Sequence, residues 1–193
     1  AGHHVFEGGH FAEQADVLKG AGDAGLDHLV GLAERKLADV KDELAIVGQD
    51  AGELGPGQVL VQVGFGGICG SDLHYFHQGG FGTVRIKRPM ILGHEVAGTV
   101  TAVAPGVERV QVGDRVAVNP SRPCSRCVYC LEGLPNQCLD MRFYGSAMRD
   151  PHVEGAFRNL LVCDAVQCEK VAPGVPLELA ALAEPFSVTL HGV

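Results

Sequence analysis

Four cysteines crowd into one short stretch of the chain at the spacing C-x2-C-x2-C-x7-C. They are Cys124, Cys127, Cys130 and Cys138. Zinc prefers a tetrahedron of thiolates at about 2.3 Å, and four cysteines on one compact loop can supply a closed structural site. The same stretch is interrupted by Pro123, Gly133 and Pro135. The pattern therefore predicts an irregular loop wrapped around a metal ion, with little room for a long helix or strand.

An iron–sulfur cluster is the main alternative for this cysteine pattern. The bacterial ferredoxin run has a shorter last gap, and a proline follows its fourth cysteine. Here Leu139 follows Cys138. Four unliganded thiols are a third interpretation, which a loop this polar disfavours. The spacing rules favour one zinc ion in a structural site.

Charge and composition limit the kinds of partner that this protein could bind. The formal net charge is −8 over 193 residues, which argues against a nucleic-acid partner. The sequence contains no run of 18 apolar residues that would predict a membrane span, and its N-terminus has no secretory-signal pattern. A cysteine cluster without a signal is typical of thiolates on a metal in a reducing compartment. We therefore expect a cytoplasmic protein with no membrane or nucleic-acid partner.

The sequence changes character near residue 46, which predicts two parts, residues 1–45 and residues 46–193. In the first part, apolar residues recur at heptad-like spacing and predict an amphipathic helix over Gly25–Leu44. Four histidines lie in the first 28 residues and could bind a metal. A solvated, poorly ordered tail is the favoured explanation of these histidines, because chain termini are commonly poorly ordered.

The second part is predicted to consist mainly of β-strands. Strands are predicted at Val59–Val63, Val96–Val103 and Arg115–Val118, separated by glycine and proline turns. The last segment, Leu177–Val193, is predicted to be helical. Short strands between such turns favour a barrel-like β domain over repeated βαβ units. The predicted fold class is mainly β with some α.

Three further segments fit an open zinc site. A catalytic zinc uses about three protein ligands and keeps one position for water or substrate. Cys69 and His94 are suitable ligands, and Glu95 or Glu184 could take the third position. Each residue alone is a weak signal, since a lone buried Cys or His more often belongs to a core. Their occurrence together with the four-cysteine cluster is much more specific.

These segments resemble a known family. The zinc-containing alcohol dehydrogenase signature is matched by Gly93, His94, Glu95, Gly98, Ala104 and Val107 at the required spacing. The run Cys69–Tyr75 is similar to the sorbitol and polyol dehydrogenase branch of the medium-chain enzymes. The runs Asn119–Cys124 and Asn136–Met148 narrow the resemblance to members that oxidise sugar acids such as L-idonate. The resemblance covers about Leu44–Val193 and does not extend to the first forty-odd residues.

The resemblance implies a GroES-like catalytic domain followed by a Rossmann domain for NAD or NADP. No G-x-G-x-x-G run follows a predicted strand, and the chain stops about where the family's linker helix would lead into that second domain. We therefore expect the Rossmann domain to be missing from this chain. Two zinc ions are implied, one catalytic and one structural. A homo-oligomer is implied for the full-length protein.

The family chemistry oxidises a secondary alcohol by hydride transfer to a nicotinamide, with zinc as a Lewis acid. The resemblance implies that Ser71 takes the substrate proton and that His74 passes it towards solvent. Tyr75 becomes a candidate substrate contact. The local pattern alone would also allow a turn residue at Ser71 and a surface histidine at position 74. Arg142 and Arg149 could meet the carboxylate of a sugar acid, or could be ordinary surface arginines.

Three functions stay open at this point. The first is a zinc-dependent NAD(P) dehydrogenase for a sugar acid. The second is a dehydrogenase of the sorbitol or xylitol type. The third is a non-catalytic zinc-binding module, because the chain as it stands lacks a nicotinamide domain.

Overall fold

The structure is a computed structural model that describes residues 5–7 and 53–192. Its strands are β1 (Val5–Glu7), β2 (Gln58–Gly67), β3 (Gly80–Phe81), β4 (Val84–Arg85), β5 (Glu95–Val103), β6 (Arg115–Val118), β7 (Ser121–Arg122), β8 (Arg142–Phe143), β9 (Leu160–Asp164) and β10 (Cys168–Lys170). Its α-helices are α1 (Gly70–Gln78), α2 (Val128–Leu131), α3 (Leu177–Ala180) and α4 (Ala183–His191). Two 3-10 turns cover Pro135–Gln137 and Ala165–Gln167.

One antiparallel sheet organises these elements. The strand order is β1-β2-β5-β6-β10, and β9 also pairs with β2. The long strand β2 lies beside β5 over most of its length, with register shifts between Leu60 and Val61 and between Val63 and Phe65. The remaining strands form two small pairs, β3 with β4 and β7 with β8. The described strands thus pair without a parallel βαβ unit, in agreement with the sequence prediction.

Alternating side chains place the core on one face of this sheet. Val59, Val61, Val96 and Val100 are almost fully buried there together with Leu161. On the opposite face, Ala97 packs with Ala180 and Ala181, because α3 covers that side. Burying an aliphatic side chain of this size contributes about 1.5–3 kcal/mol. The two faces follow from the period of two along a strand.

Most of the predicted β elements are confirmed. The expected strands at Val59–Val63, Val96–Val103 and Arg115–Val118 lie within β2, β5 and β6. The C-terminal segment is helical, although it is divided into α3 and α4. The predicted amphipathic helix at Gly25–Leu44 lies outside the described residues. Mainly β with some α is the correct fold class.

Two features of the fold were not predicted. Helix α1 follows β2 directly, and its first residues carry much of the candidate site. Strand β1 pairs with the end of β2, with Val5 opposite Gly67. None of the helices in the described part of the chain is long and apolar enough to cross a membrane.

Candidate metal centres

The register between β2 and β5 brings the first set of candidate ligands together. In this antiparallel pair the last residue of β2, Gly67, lies opposite the first residue of β5, Glu95. Cys69 follows two residues after the end of β2, and His94 comes just before β5 begins. Residues about 25 positions apart in the sequence therefore meet at one end of the sheet.

Cys69, His94 and Glu95 each offer a ligand atom, and these atoms all lie within 4.8 Å of one another. His94 and Glu95 are buried, and Cys69 is partly exposed. A Cβ at Gly67 would overlap the Glu95 carboxylate, so a larger residue here would require that carboxylate to move from its place in the set. A thiol, an imidazole and a carboxylate with an approach from one side are the donor set that an open zinc site requires.

Asp72 is a site residue that the sequence reasoning missed. Its carboxylate accepts hydrogen bonds from the backbone N–H of Cys69 at 3.1 Å and of Gly93 at 3.0 Å. The same carboxylate lies 3.7 Å from Nδ1 of His94. Desolvation raises the pKa of Asp72, while the nearby His94 ring and the two N–H donors act in the opposite direction. Asp72 therefore orients two candidate ligands. The sequence signal that could have revealed this role is its position three residues after Cys69, where an acidic residue commonly caps the start of a helix.

Glu184 lies near this set without joining it. It is a partly buried residue in the first turn of α4, and its carboxylate is not among the ligand atoms that converge within 4.8 Å. Burial raises the pKa of Glu184; His94 opposes this shift, and the charges of Glu95 and Asp72 add to it. Three carboxylates, those of Asp72, Glu95 and Glu184, thus lie around the single His94 imidazole. This excess of negative charge is one that a divalent cation would offset.

The other predicted site residues lie on α1. Ser71 is partly exposed in the first turn, and His74 is exposed, with Nδ1 at 3.3 Å from the Gln78 side chain. Tyr75 is only 4% exposed, and its hydroxyl accepts a hydrogen bond from the backbone N–H of Ala147 at 3.0 Å. Tyr75 therefore holds α1 to the segment around Ala147, and a contact with substrate stays a prediction.

The second set consists of the four clustered cysteines. One Sγ atom from each of them lies within 4.8 Å of the others. Cys127 precedes the short helix α2, and Cys138 follows the 3-10 turn Pro135–Gln137, so two tight turns present the sulfurs inwards. Sγ of Cys138 accepts hydrogen bonds from the backbone N–H of Cys124 at 3.1 Å and of Asp140 at 3.3 Å. We call residues 123–141 the cysteine lobe.

The thiols of the cysteine lobe differ strongly in pKa. Backbone N–H groups of Cys130 and Leu139 lower the pKa of Cys127 to about 6. Burial, together with sharing of protons with the Cys127 and Cys138 sulfurs, raises the pKa of Cys130 to about 12. Four sulfurs this close cannot all ionise without a cation between them. The donor set therefore fits a zinc ion, which would hold all four as thiolates.

We expect Cys127 to be the most reactive lobe thiol in the metal-free chain. Because its pKa is about 6, it is a thiolate at pH 7, and its alkylation by iodoacetamide should slow only as the pH falls through 6. Cys130, with its raised pKa, is the internal comparison and should react slowly throughout. Peptide mass mapping across pH 5–8 measures both rates. Equal rates for the two cysteines at pH 7 would contradict the expectation.

The structure also places the two arginines proposed for a substrate carboxylate. Arg149 donates to the backbone carbonyls of Leu139 and Met141, both at 3.0 Å, and so clamps the end of the cysteine lobe. Arg142 is exposed in β8. Of the two, only Arg142 presents a guanidinium outside these backbone contacts.

Cys163 and Cys168, two thiols outside both candidate metal sets, are buried. Their sulfurs nevertheless lie 3.5 Å apart across the turn at Ala165–Gln167, a proximity that the spacing did not suggest. A G-x-G-x-x-G spacing also occurs once, at Gly20, Gly22 and Gly25, outside the described residues. As a lone match ahead of the catalytic-domain motifs, it is weak support for a nucleotide site.

Residues 55–173 match the alcohol dehydrogenase GroES-like domain. The chain is 47% identical over 132 residues to L-idonate 5-dehydrogenase (NAD(P)(+)) of Escherichia coli K12, covering 68% of this chain and 38% of that protein. It is 43% identical over 134 residues to sorbitol dehydrogenase of Bacillus subtilis 168, covering 69% of this chain and 37% of that protein.

A solved structure agrees with these relatives. The crystal structure of L-idonate 5-dehydrogenase from Escherichia coli superposes with a TM-score of 0.66 at 46% identity, over 70% of this chain and 38% of that one. The chain thus spans less than two fifths of the length of the relatives that it matches. The expected GroES-like fold and the resemblance to the zinc and polyol dehydrogenases are confirmed. The chain belongs to the family of alcohol dehydrogenase GroES-like domains.

Proposed function

We propose that this chain is the zinc-binding catalytic domain of an NAD(P)-dependent dehydrogenase that oxidises a secondary alcohol of a sugar acid or polyol. The observation that carries the proposal is the convergence of Cys69, His94 and Glu95 within 4.8 Å, on the same domain as a four-cysteine set. The similarity to L-idonate 5-dehydrogenase and to sorbitol dehydrogenase supports the substrate class. L-idonate is the first candidate substrate, and sorbitol or xylitol is the alternative.

The residues of the first set would hold a catalytic zinc, which supplies Lewis-acid chemistry towards a substrate hydroxyl when bound. Cys69 and His94 provide the soft and the imidazole donors. Glu95 provides a carboxylate, since its ligand atom lies within the set. Asp72 keeps the His94 ring and the Cys69 backbone in place through the contacts at 3.7 Å and 3.1 Å.

The surrounding residues would bind the substrate and move its proton. Ser71, two residues after Cys69, would accept the hydroxyl proton, and the exposed His74 would pass it to solvent. Glu184, whose pKa is raised chiefly by burial, could accept a hydrogen bond from a second hydroxyl of a polyol. Arg142 would meet the carboxylate of a sugar acid. Tyr75 would line the substrate side of α1.

The proposal extends to partners of the whole protein. NAD or NADP would bind through a domain that lies outside the described residues. The four-cysteine set would hold a structural zinc ion. The whole protein would be a cytoplasmic homo-oligomer that binds a small-molecule substrate. The division into an N-terminal segment, residues 1–45, and a zinc-binding domain, residues 46–193, stays a proposal, and β1 of the first part pairs with β2 of the second.

Replacing Cys69 by Ser should remove one zinc ion per chain and leave the other in the four-cysteine set. The reason is that a hydroxyl donates poorly to zinc compared with a thiolate. Metal analysis after dialysis gives the stoichiometry. The matched control is Cys163→Ser, which changes a buried thiol outside both sets and should leave two zinc ions bound. Unchanged stoichiometry in Cys69→Ser would refute the catalytic zinc site.

A second candidate function is a zinc-binding module without turnover, because the matched region covers only 38% of the L-idonate 5-dehydrogenase relative. We expect the 193 residues alone to oxidise neither L-idonate nor sorbitol with NAD or NADP. Absorbance of the reduced nicotinamide at 340 nm measures the reaction. The same assay on the chain extended by a nicotinamide-binding domain should show turnover. Turnover by the short chain would show that these residues suffice.

A further inference from the structure

The two metal centres are connected by a short and direct path. Strands β7 and β8 are the places where the chain enters and leaves the cysteine lobe, and they pair with each other, Ser121 opposite Phe143. The backbone N–H of Tyr144 adds a hydrogen bond to the carbonyl of Pro120 at 3.2 Å. Phe143 comes only five positions after Cys138, so the position of β8 depends closely on how the lobe is held.

The residues at and just after β8 pack against the other centre. The ring of Phe143 lies 5.3 Å from the His94 ring, centroid to centroid, at an angle of 58°. Gly145 follows with φ of 67°, and a Cβ there would come within 3.0 Å of the Gly93 backbone. His94 is thus confined by Asp72 on one side, through the 3.7 Å contact, and has Phe143 as a ring neighbour.

The cysteine lobe has no buried core of its own. Between residues 121 and 143, all of which the structure describes, no residue is buried. The large apolar side chains Val128, Leu131 and Leu139 are 52%, 74% and 63% exposed. Its helical elements are one turn long. A bound metal ion would therefore add substantially to the free energy that holds this loop in place.

We infer that Phe143 is a positioning residue that couples the two centres, so that a metal ion in the cysteine lobe tightens metal binding at Cys69, His94 and Glu95. With the lobe metal in place, β8 is fixed and Phe143 packs on the His94 ring. Without it, β8 loses its anchor and the ring gains freedom, which lowers the affinity of the second centre. This inference rests on the proposed two-zinc function and adds an energetic link between the two sites.

The test is a zinc titration of the reduced chain against a chromophoric chelator, which reports the affinity of each site. Cys124→Ser, which removes one lobe thiolate, should weaken zinc binding at the Cys69 centre by about 10-fold, within the range of typical couplings. Phe143→Ala should weaken it similarly while the lobe keeps its zinc. The double variant should be no weaker than Cys124→Ser, because both changes break the same link.

Two further variants separate positioning from general loosening. Phe143→Tyr keeps an aromatic ring and should restore wild-type affinity. Leu131→Ser alters an exposed lobe residue and should leave the Cys69 centre unchanged. Cobalt substitution adds a spectroscopic measurement, since the d–d bands of cobalt at the Cys69 centre should shift in Phe143→Ala and not in Phe143→Tyr. Should Cys124→Ser fail to fold, the comparison of Phe143→Ala with Phe143→Tyr decides.

The outcomes distinguish the inference from the proposed function. Fewer than two zinc ions in the wild-type chain would overturn the proposed function. Two zinc ions, with unchanged affinity at the Cys69 centre in Phe143→Ala, would overturn the coupling alone. Losses that multiply in the double variant would also overturn it, because independent effects are additive in free energy.

Discussion

Replacing Gly93 by Ala should lower the free energy of unfolding by about 3 kcal/mol. Gly93 has φ of 92°, a left-handed conformation that costs an L-residue about 1–2 kcal/mol. A methyl group at this position would also run into the Phe157 ring, and forced repacking of this kind costs about 1–3 kcal/mol. Urea denaturation followed by circular dichroism measures the change. Zinc affinity at the neighbouring His94 should fall as well.

Gly113 offers a closely matched control for this prediction. It has the same φ of 92°, and a Cβ there would meet nothing within 4 Å. Gly113→Ala should therefore show the backbone cost alone, about 1–2 kcal/mol, without any change in zinc affinity. Adding Phe157→Leu to Gly93→Ala should recover part of the loss by making room. Equal destabilisation by the two glycine replacements would show that the contact with Phe157 costs nothing.

Replacing Asp72 by Asn should weaken zinc binding at the Cys69 centre by about 10- to 100-fold, the usual cost of removing a carboxylate that orients metal ligands. The carboxylate now accepts from two backbone N–H groups and faces the His94 ring. An amide has only one acceptor oxygen, so one N–H would face an NH2 group in a buried site. Competition with a chelator measures the affinity, and the four-cysteine set should retain its zinc.

Asp114→Asn is the control for the chemical change itself. Asp114 also accepts a backbone N–H, from Gln111 at 2.9 Å, and pairs with Lys170 at 2.8 Å, on a turn that contributes no candidate ligand. Its replacement should cost some stability and leave zinc affinity unchanged. If Asp72→Asn bound zinc as tightly as the wild-type chain, the proposed orienting role of Asp72 would be wrong.

The parts of the site that depend on neighbouring residues in the sequence could be predicted without a structure. The four-cysteine spacing and the Gly93-His94-Glu95 run are such local patterns, because a metal site on one loop needs its ligands close together along the chain. The strands were predictable for the same reason, since alternating apolar residues and glycine or proline turns act over a few positions. The family resemblance rests on these local runs.

The contacts that orient the ligands could not be predicted in this way. Asp72 meets Gly93, and Phe143 meets His94, only because β2 pairs with β5 and β7 pairs with β8 in one particular register. Arg149 could be assigned to a substrate carboxylate from sequence, yet its guanidinium is used on the carbonyls of Leu139 and Met141. Such contacts join residues that are tens of positions apart in the sequence. They depend on the register of the paired strands, and the same local sequence pattern is compatible with many registers.

The amino-acid sequence by itself indicated the family, the four-cysteine set, the Cys69 and His94 ligands and the β-rich fold, because ligand type and strand period are local properties of the chain. The tertiary structure alone decided that Glu95 lies within the first donor set while Glu184 lies outside it. It also decided that the exit strand of the cysteine lobe rests against His94. These choices follow from strand register and side-chain packing, which fix distances between residues that the sequence leaves far apart.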